Sequence, residues 1–420
     1  MEQITYKIRR SSSIGRSFSL DNCKKILENF FSKEFDFEDF NIRVINHEIP
    51  GEFRSVLWRI YLGIFTKPSK KENWISITKS YRQKFDKNFL DENFIGAIDY
   101  FSSRLEEKEQ KNTLNFNLPF DFELEFPILQ KELQILANDY DLFKSTSIKK
   151  SFLSIYLIWR INNNFQFNQN KNQLAISFLC KIFGMVIYSL YPCSLHINYN
   201  INEINENEED FENIFYFLNL EDYFEHDISE IMEKLLNCSK LKDYIINYTE
   251  DNLPHLIDIS IKELNGKEDN FCELFEKKIN INSNINSGNS QGANFIEEIS
   301  YKFLYNIHKD TAKNLVLKGV NIYDQVAKYY LTLMFDATKY ENIGYYMDNI
   351  LIYFSKEKLN FIGCLIISLF ILLENEYHSL NLQNTEKFFN SYPLMKIDPI
   401  EIIGKAMKIR EKISGKDPRK

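Results

Sequence analysis

The sequence predicts an all-α protein made of two helical halves. Three observations point there. Glycine and proline are scarce, 13 and 9 in 420 residues, whereas β-rich folds need many tight turns. Apolar residues fall in long helix-like windows, and strand-like alternation is weak throughout. An asparagine-rich stretch, 280–294, separates two helix-rich regions and reads as a flexible insertion. With 44% apolar and 15% aromatic residues, the composition is that of a packed globular chain long enough for a large core.

Taken in order, residues 1–20 (with RRSSSIGRSFSL) read as a disordered, solvated tail. Arg9 and Arg10 precede Ser11, Ser12 and Ser13, a pattern that suits kinase recognition. Residues 21–46 read as a helix anchored by Ile26, Phe30 and Phe31, followed by a polar connector. Ile49-Pro50 stops the chain and sets up a mostly apolar helix, 51–65. Arg54 and Trp58 share one face of it, and the expectation is an arginine stem packed over an indole. Residues 70–112 form charged helices. Leu118 to Phe126 is a connector, and Pro127 opens the helix 127–136.

An apolar helix follows, then the polar stretch 162–172 and a second apolar helix from about Gln173 to Leu190. Residues 197–210 are polar enough to be a loop. Phe211 to Leu218 is helical, and Asp227 or Ser229 is placed to cap a helix over 228–236. Residues 295–375 are continuous helical pattern, and a shorter helical tail, 376–420, ends in charge. The apolar run 361–373 is too short for a membrane span and is expected to be a buried helix.

Composition and motifs exclude several functions. The acidic balance, 51 Lys and Arg against 59 Asp and Glu, argues against nucleic acid as a partner. Six scattered cysteines without a C-x-x-C pair read as reduced thiols. Local zinc patterns are absent, and no apolar core follows the basic start, so no secretory leader is expected. No phosphate-binding glycine loop or elbow serine is present. No cofactor is expected. A catalytic role of another kind leaves no such mark: completing a partner's active site. In GTP hydrolysis a glutamine orients the attacking water, and an arginine supplied in trans stabilises phosphate charge.

Several pieces of this chain resemble the TBC domain, the all-helical GTPase-activating domain that acts on Rab-type small GTPases. Ile49, Pro50, Arg54 and Trp58 match the spacing of G-[IV]-P-x-x-x-R-x-x-x-W, with Glu48 at the glycine. Phe167, Asn168, Gln169, Asn170, Lys171 and Asn172 stand where the family has Y-x-Q-G-M-N. The stretch from Leu129 to Ile135 stands where it has I-x-x-D-x-x-R, with Glu132 at the aspartate and Ile135 at the arginine finger. Tyr223 to Asp227 resembles a segment of one subgroup, and Met347-Asp348 replaces a W-D pair.

The resemblance implies two helical subdomains of a TBC-like fold: an N-terminal half over 45–279 carrying the fingers, and a C-terminal half over 295–375. It implies Gln169 as the catalytic glutamine finger and Ile135 as a degenerate arginine-finger position. Arg54, Trp58, Phe167, Asn172 and Asp348 become partner-binding or structural. The implied partner is a Rab-type small GTPase in membrane traffic, with no integral membrane segment. The implied location is cytoplasmic, peripheral at endomembranes through that partner. Two functions stay open: a GTPase activator, with a residue such as Arg160 compensating for the lost arginine, or a module that binds the GTPase without accelerating hydrolysis. A helical interaction scaffold unrelated to GTPases is the alternative to both.

Overall fold

In the computed structural model the described residues are 25–26, 28–32, 34–66, 73–89, 92–105, 118, 120–163, 173–191, 211–247, 296, 298–338, 342–357 and 360–414. Among them there is no β-strand. The expected tail 1–20 and the insertions 197–210 and 280–294 lie outside the described residues.

Contacts divide the chain into two compact units that interleave along the sequence. Unit 1 takes the described residues of Met1–Gln169, Cys180–Cys238 and Tyr340–Lys356; unit 2 takes those of Asn170–Leu179, Ser239–Lys339 and Glu357–Lys420. Its boundaries are therefore not those of the sequence halves 45–279 and 295–375.

Unit 1 begins with an aromatic cluster. The Phe30 ring lies 5.0–6.4 Å from those of Phe35, Phe40, Phe53 and Trp74, and Phe65 stacks on Trp74 at 4.8 Å. The polar connector expected before residue 46 is instead helix α1 (Phe37–Ile45), because Asp36 caps it by accepting from Glu38 and Asp39 N–H and Phe40 and Val44 bury its inner face. A single 3-10 turn, Gly51–Phe53, leads from Pro50 into α2 (Arg54–Tyr61), whose residues from Ser55 onward are all buried. α3 (Trp74–Phe89) and α4 (Glu92–Leu105) follow.

α5 runs Phe122–Asp139 with Pro127 inside it, which corrects the expected start at Pro127. The proline forfeits the bond its N–H would give the Glu123 carbonyl. Buried Phe122 and Phe126 outweigh that loss by packing on Phe101 at 4.6 and 4.8 Å.

α6 (Thr146–Asn163) is buried continuously from Phe152 to Arg160. α7 (Gln173–Leu190) is long and apolar enough to cross a membrane by length and composition, with 72% of that window buried inside the protein. Its residues up to 179 cluster with unit 2 and those from 180 with unit 1. α8 (Phe211–Leu218) leads to α9 (Phe224–Cys238). α9 starts earlier than expected, so neither Asp227 nor Ser229 is a cap; both lie inside the helix and are buried.

Unit 2 opens with α10 (Leu241–Asn247) and, after an undescribed stretch, a π-helical turn at Glu298–Phe303. The pattern expected as continuous is broken into α11 (Leu304–Ile307), α12 (Lys309–Leu317) and α13 (Ile322–Leu331). Leu333 and Met334, both left-handed and fully buried, turn the chain after α13. α14 (Ile343–Ile352) belongs to unit 1. After α15 (Phe354–Glu357), the apolar run becomes α16 (Asn360–Leu372), buried from Phe361 to Phe370. α17 (Glu374–His378), α18 (Leu382–Phe389) and α19 (Pro399–Ser414) complete the unit. The segment expected as a tail is part of that core, since α19 packs along α16. Cys180 and Cys364 are free and buried, and burial pushes both thiols up, Cys364 to about 12.

Candidate functional site

Arg54 and Trp58 lie one turn apart on α2, and α14 brings Asp348 to both. Arg54 Nε donates to Asp348 Oδ1 and Oδ2 at 3.2 and 3.0 Å, and Trp58 Nε1 donates to Oδ1 at 2.8 Å. The indole is fully buried, and the two charged side chains are 12% and 10% exposed. Gly344 on α14 makes room: a Cβ there would stand 2.7 Å from Arg54 Cζ and Nη1. The Tyr345 hydroxyl donates to the Ile45 carbonyl, and its ring sits 4.4 Å from His47. Arg54 and Trp58, expected to pack on one another, meet instead through Asp348, which ties α14 to α2, while Tyr345 ties α14 to the end of α1.

α5 carries the degenerate finger position. Leu129, Glu132, Leu133 and Leu136 point inward, and Ile135 is 41% exposed. The helix places 135 outward because its neighbours 133 and 136 fill the inner face. Arg160 takes no part at that surface. It is 1% exposed, its Nε donates to both Glu125 oxygens at 3.1 and 3.0 Å, and its Nη2 pairs with the same carboxylate. Its guanidinium also lies 4.3 Å from the Phe120 ring. Tyr156 donates to Glu125 at 2.8 Å, and burial, with Glu125 adding to it, pushes its hydroxyl well up. This corrects the expectation that Arg160 is available to replace the finger.

Phe167, Gln169 and Asn172 lie outside the described residues, between the end of α6 and the start of α7. Of the two finger positions, only Ile135 has a described place.

A second polar cluster joins α2, α3 and α9. Arg59, fully buried, pairs with Asp227 at 2.9 Å and Glu230 at 3.0 Å and donates to Ser55 Oγ at 2.6 Å. Arg82 donates to Asp227 at 3.1 and 2.9 Å and to the Phe217 carbonyl at 3.0 Å. Burial holds Glu230 above the usual carboxylate range although Arg59 opposes it. Burial lowers Arg59, and Asp227 and Glu230 outweigh it, leaving a net rise. His226, the neighbour of Asp227, meets Asp86 at 2.8 Å and lies 4.2 Å from the Phe85 ring. It lines an open cleft of about 350 Å³ together with Ser151, Asp222 and Glu225.

No family model and no curated protein matches this sequence. Among solved structures, the crystal structure of the Ypt/Rab-GAP domain of Gyp1p is similar to it over 94% of this chain and 99% of that one, with a TM-score of 0.53 and 12% identity. The fold is TBC-like. At that identity the likeness is one of architecture alone.

Within the TBC-like fold the predicted positions separate into two groups. Arg54, Trp58 and Asp348 come together inside unit 1, where they act on one another. Ile135 stands alone at the surface of α5. Sequence reasoning missed the Arg59–Asp227–Glu230–Arg82 cluster, whose members are up to 171 residues apart in sequence. Its one legible signal was Arg59, a charge embedded among the apolar positions of α2; Arg82 stands in a charged helix and gave none.

Proposed function

We propose that this chain binds a Rab-type small GTPase in membrane traffic and accelerates GTP hydrolysis weakly or not at all. The observation that carries the reading is Ile135, exposed on α5 of a TBC-like fold at the position where the resemblance puts the arginine finger. An arginine acting in trans is worth about 10³–10⁵ in rate, so an isoleucine there forfeits several kcal/mol of transition-state stabilisation. Arg160, held by Glu125, supplies no substitute. Gln169 remains available by sequence to orient water, but Asn170 and Lys171 replace a glycine and a methionine and alter the backbone of that turn. The chain then acts in the cytoplasm, at endomembranes through its partner.

Single-turnover GTP hydrolysis across a panel of Rab-type GTPases, together with capture of the GTP-loaded partner, tests this. Wild type is expected to retain one GTP-loaded GTPase with little acceleration, and Ile135→Arg is expected to gain at least tenfold in rate. Strong acceleration by wild type that Gln169→Ala abolishes would make the chain an activator working without an arginine. A chain that neither retains nor accelerates any member of the panel leaves the GTPase reading without support.

A further inference from the structure

We propose that the outward face of α19 docks directly on an anionic membrane surface. The inward face is committed as far as Arg410. Ile402, Ile403, Ala406 and Ile409 are buried, Ser368 Oγ on α16 donates to the Ile402 carbonyl at 3.0 Å, and Arg410 Nε donates to Glu357 at 2.8 Å. These contacts fix which side of the helix meets water. That side carries Lys405, Lys408 and Lys412 at i, i+3 and i+7, a single row. Lys408 and Lys412 are exposed and Lys405 half-buried, and none of the three makes an ion pair with a described residue.

Near the start of the same helix, and on the turn that leads into it, two apolar side chains are exposed. Ile400 is 50% exposed, and Met395, on the turn before the helix, is 56% exposed. On the helix surface between Ile400 and Lys408, Gly404 leaves open space, since a Cβ there would meet nothing within 4 Å. The acidic groups of this face are Glu401, in the first turn where the helix dipole favours it, and Glu411, at its far end. From 399 to 420 the sequence holds seven Lys and Arg against three Asp and Glu, in a chain whose net charge is −8. This end is therefore opposite in sign to the rest of the molecule.

A helix face with a row of lysines, led in by exposed Ile400 and Met395, fits the headgroup boundary of a bilayer, where both the charges and the apolar side chains gain. A nucleic-acid backbone would use the lysines but leave Ile400 and Met395 in water. The proposal concerns unit 2 and does not depend on the GTPase reading.

Sedimentation of the full chain with phosphatidylcholine vesicles, with and without phosphatidylserine, tests it. Binding is expected only with phosphatidylserine, and it weakens as salt rises. Each lysine near an anionic surface is worth roughly fivefold, so Lys405→Gln/Lys408→Gln/Lys412→Gln is expected to lose about a hundredfold. The corresponding triple Lys→Arg variant is expected to retain binding, and Ile400→Ser/Met395→Ser to weaken it while keeping the salt dependence. All the substituted side chains are at least partly exposed, and unchanged thermal unfolding would show the variants to be folded. The proposal is overturned if sedimentation does not depend on phosphatidylserine, or if the triple Gln variant binds like wild type. It is overturned equally if single-stranded RNA binds this row more tightly than the vesicles do at the same salt.

Discussion

Asp348 accepts from Arg54 and Trp58 at once, so removing it leaves two donors without their partner, one of them charged. Losing one member of a buried ion pair costs about 3–5 kcal/mol. Arg54 keeps some contact with water, which places the effect at the lower end. Asp348→Ala is expected to lower the unfolding free energy by about 3 kcal/mol, read as a shift of the urea midpoint with an unchanged slope. A loss under about 1 kcal/mol would mean that water solvates the site better than its burial implies. At this scale the sequence shows that Arg54 and Trp58 share a helix face, because helical spacing is local. It does not show that both turn to Asp348, because that contact spans 290 residues.

Two glycines show how the same substitution changes sign from one helix to another. On α14, Gly344 gives Arg54 the space it needs beside Asp348. On α19, Gly404 faces open space. Gly344→Ala is expected to destabilise by about 1–2 kcal/mol, since the added methyl must push a guanidinium off its carboxylate. Gly404→Ala is expected to stabilise by up to about 1 kcal/mol through helix propensity alone. Chemical denaturation of the two variants beside wild type measures both; destabilisation by Gly404→Ala would show that α19 tolerates no added side chain there. Element boundaries were legible where a cap or an apolar run marks them, as at Phe211–Leu218. They were misread at α1, α5 and α9. There, aromatic residues that anchor on other helices extend or create a helix against local signals such as Pro127.

In the molecule as a whole, α14 lies in unit 1 although about a hundred residues separate it from the rest of that unit in sequence. A fragment ending at residue 290 would contain α1 to α10 but lack Asp348 and the Tyr345 anchor on Ile45. That fragment is expected to unfold without a cooperative transition, or at a markedly lower denaturant concentration than the full chain. Adding a peptide of residues 340–356 is expected to raise its midpoint by mass action. A fragment as stable as the full chain would show that α1 and α2 hold together without α14.

The sequence by itself determined the all-α class, the burial of the run 361–373 and the isoleucine at position 135. Each is a matter of composition, local period or one residue's identity, and none needs to know what lies nearby in space. Only the tertiary structure decided that Arg160 is locked to Glu125, that Arg54 and Trp58 share Asp348, and that the last helix belongs to a core and shows water a basic face. Those depend on which distant side chains meet. A charge buried beside a carboxylate and a charge free at the surface are written with the same letter.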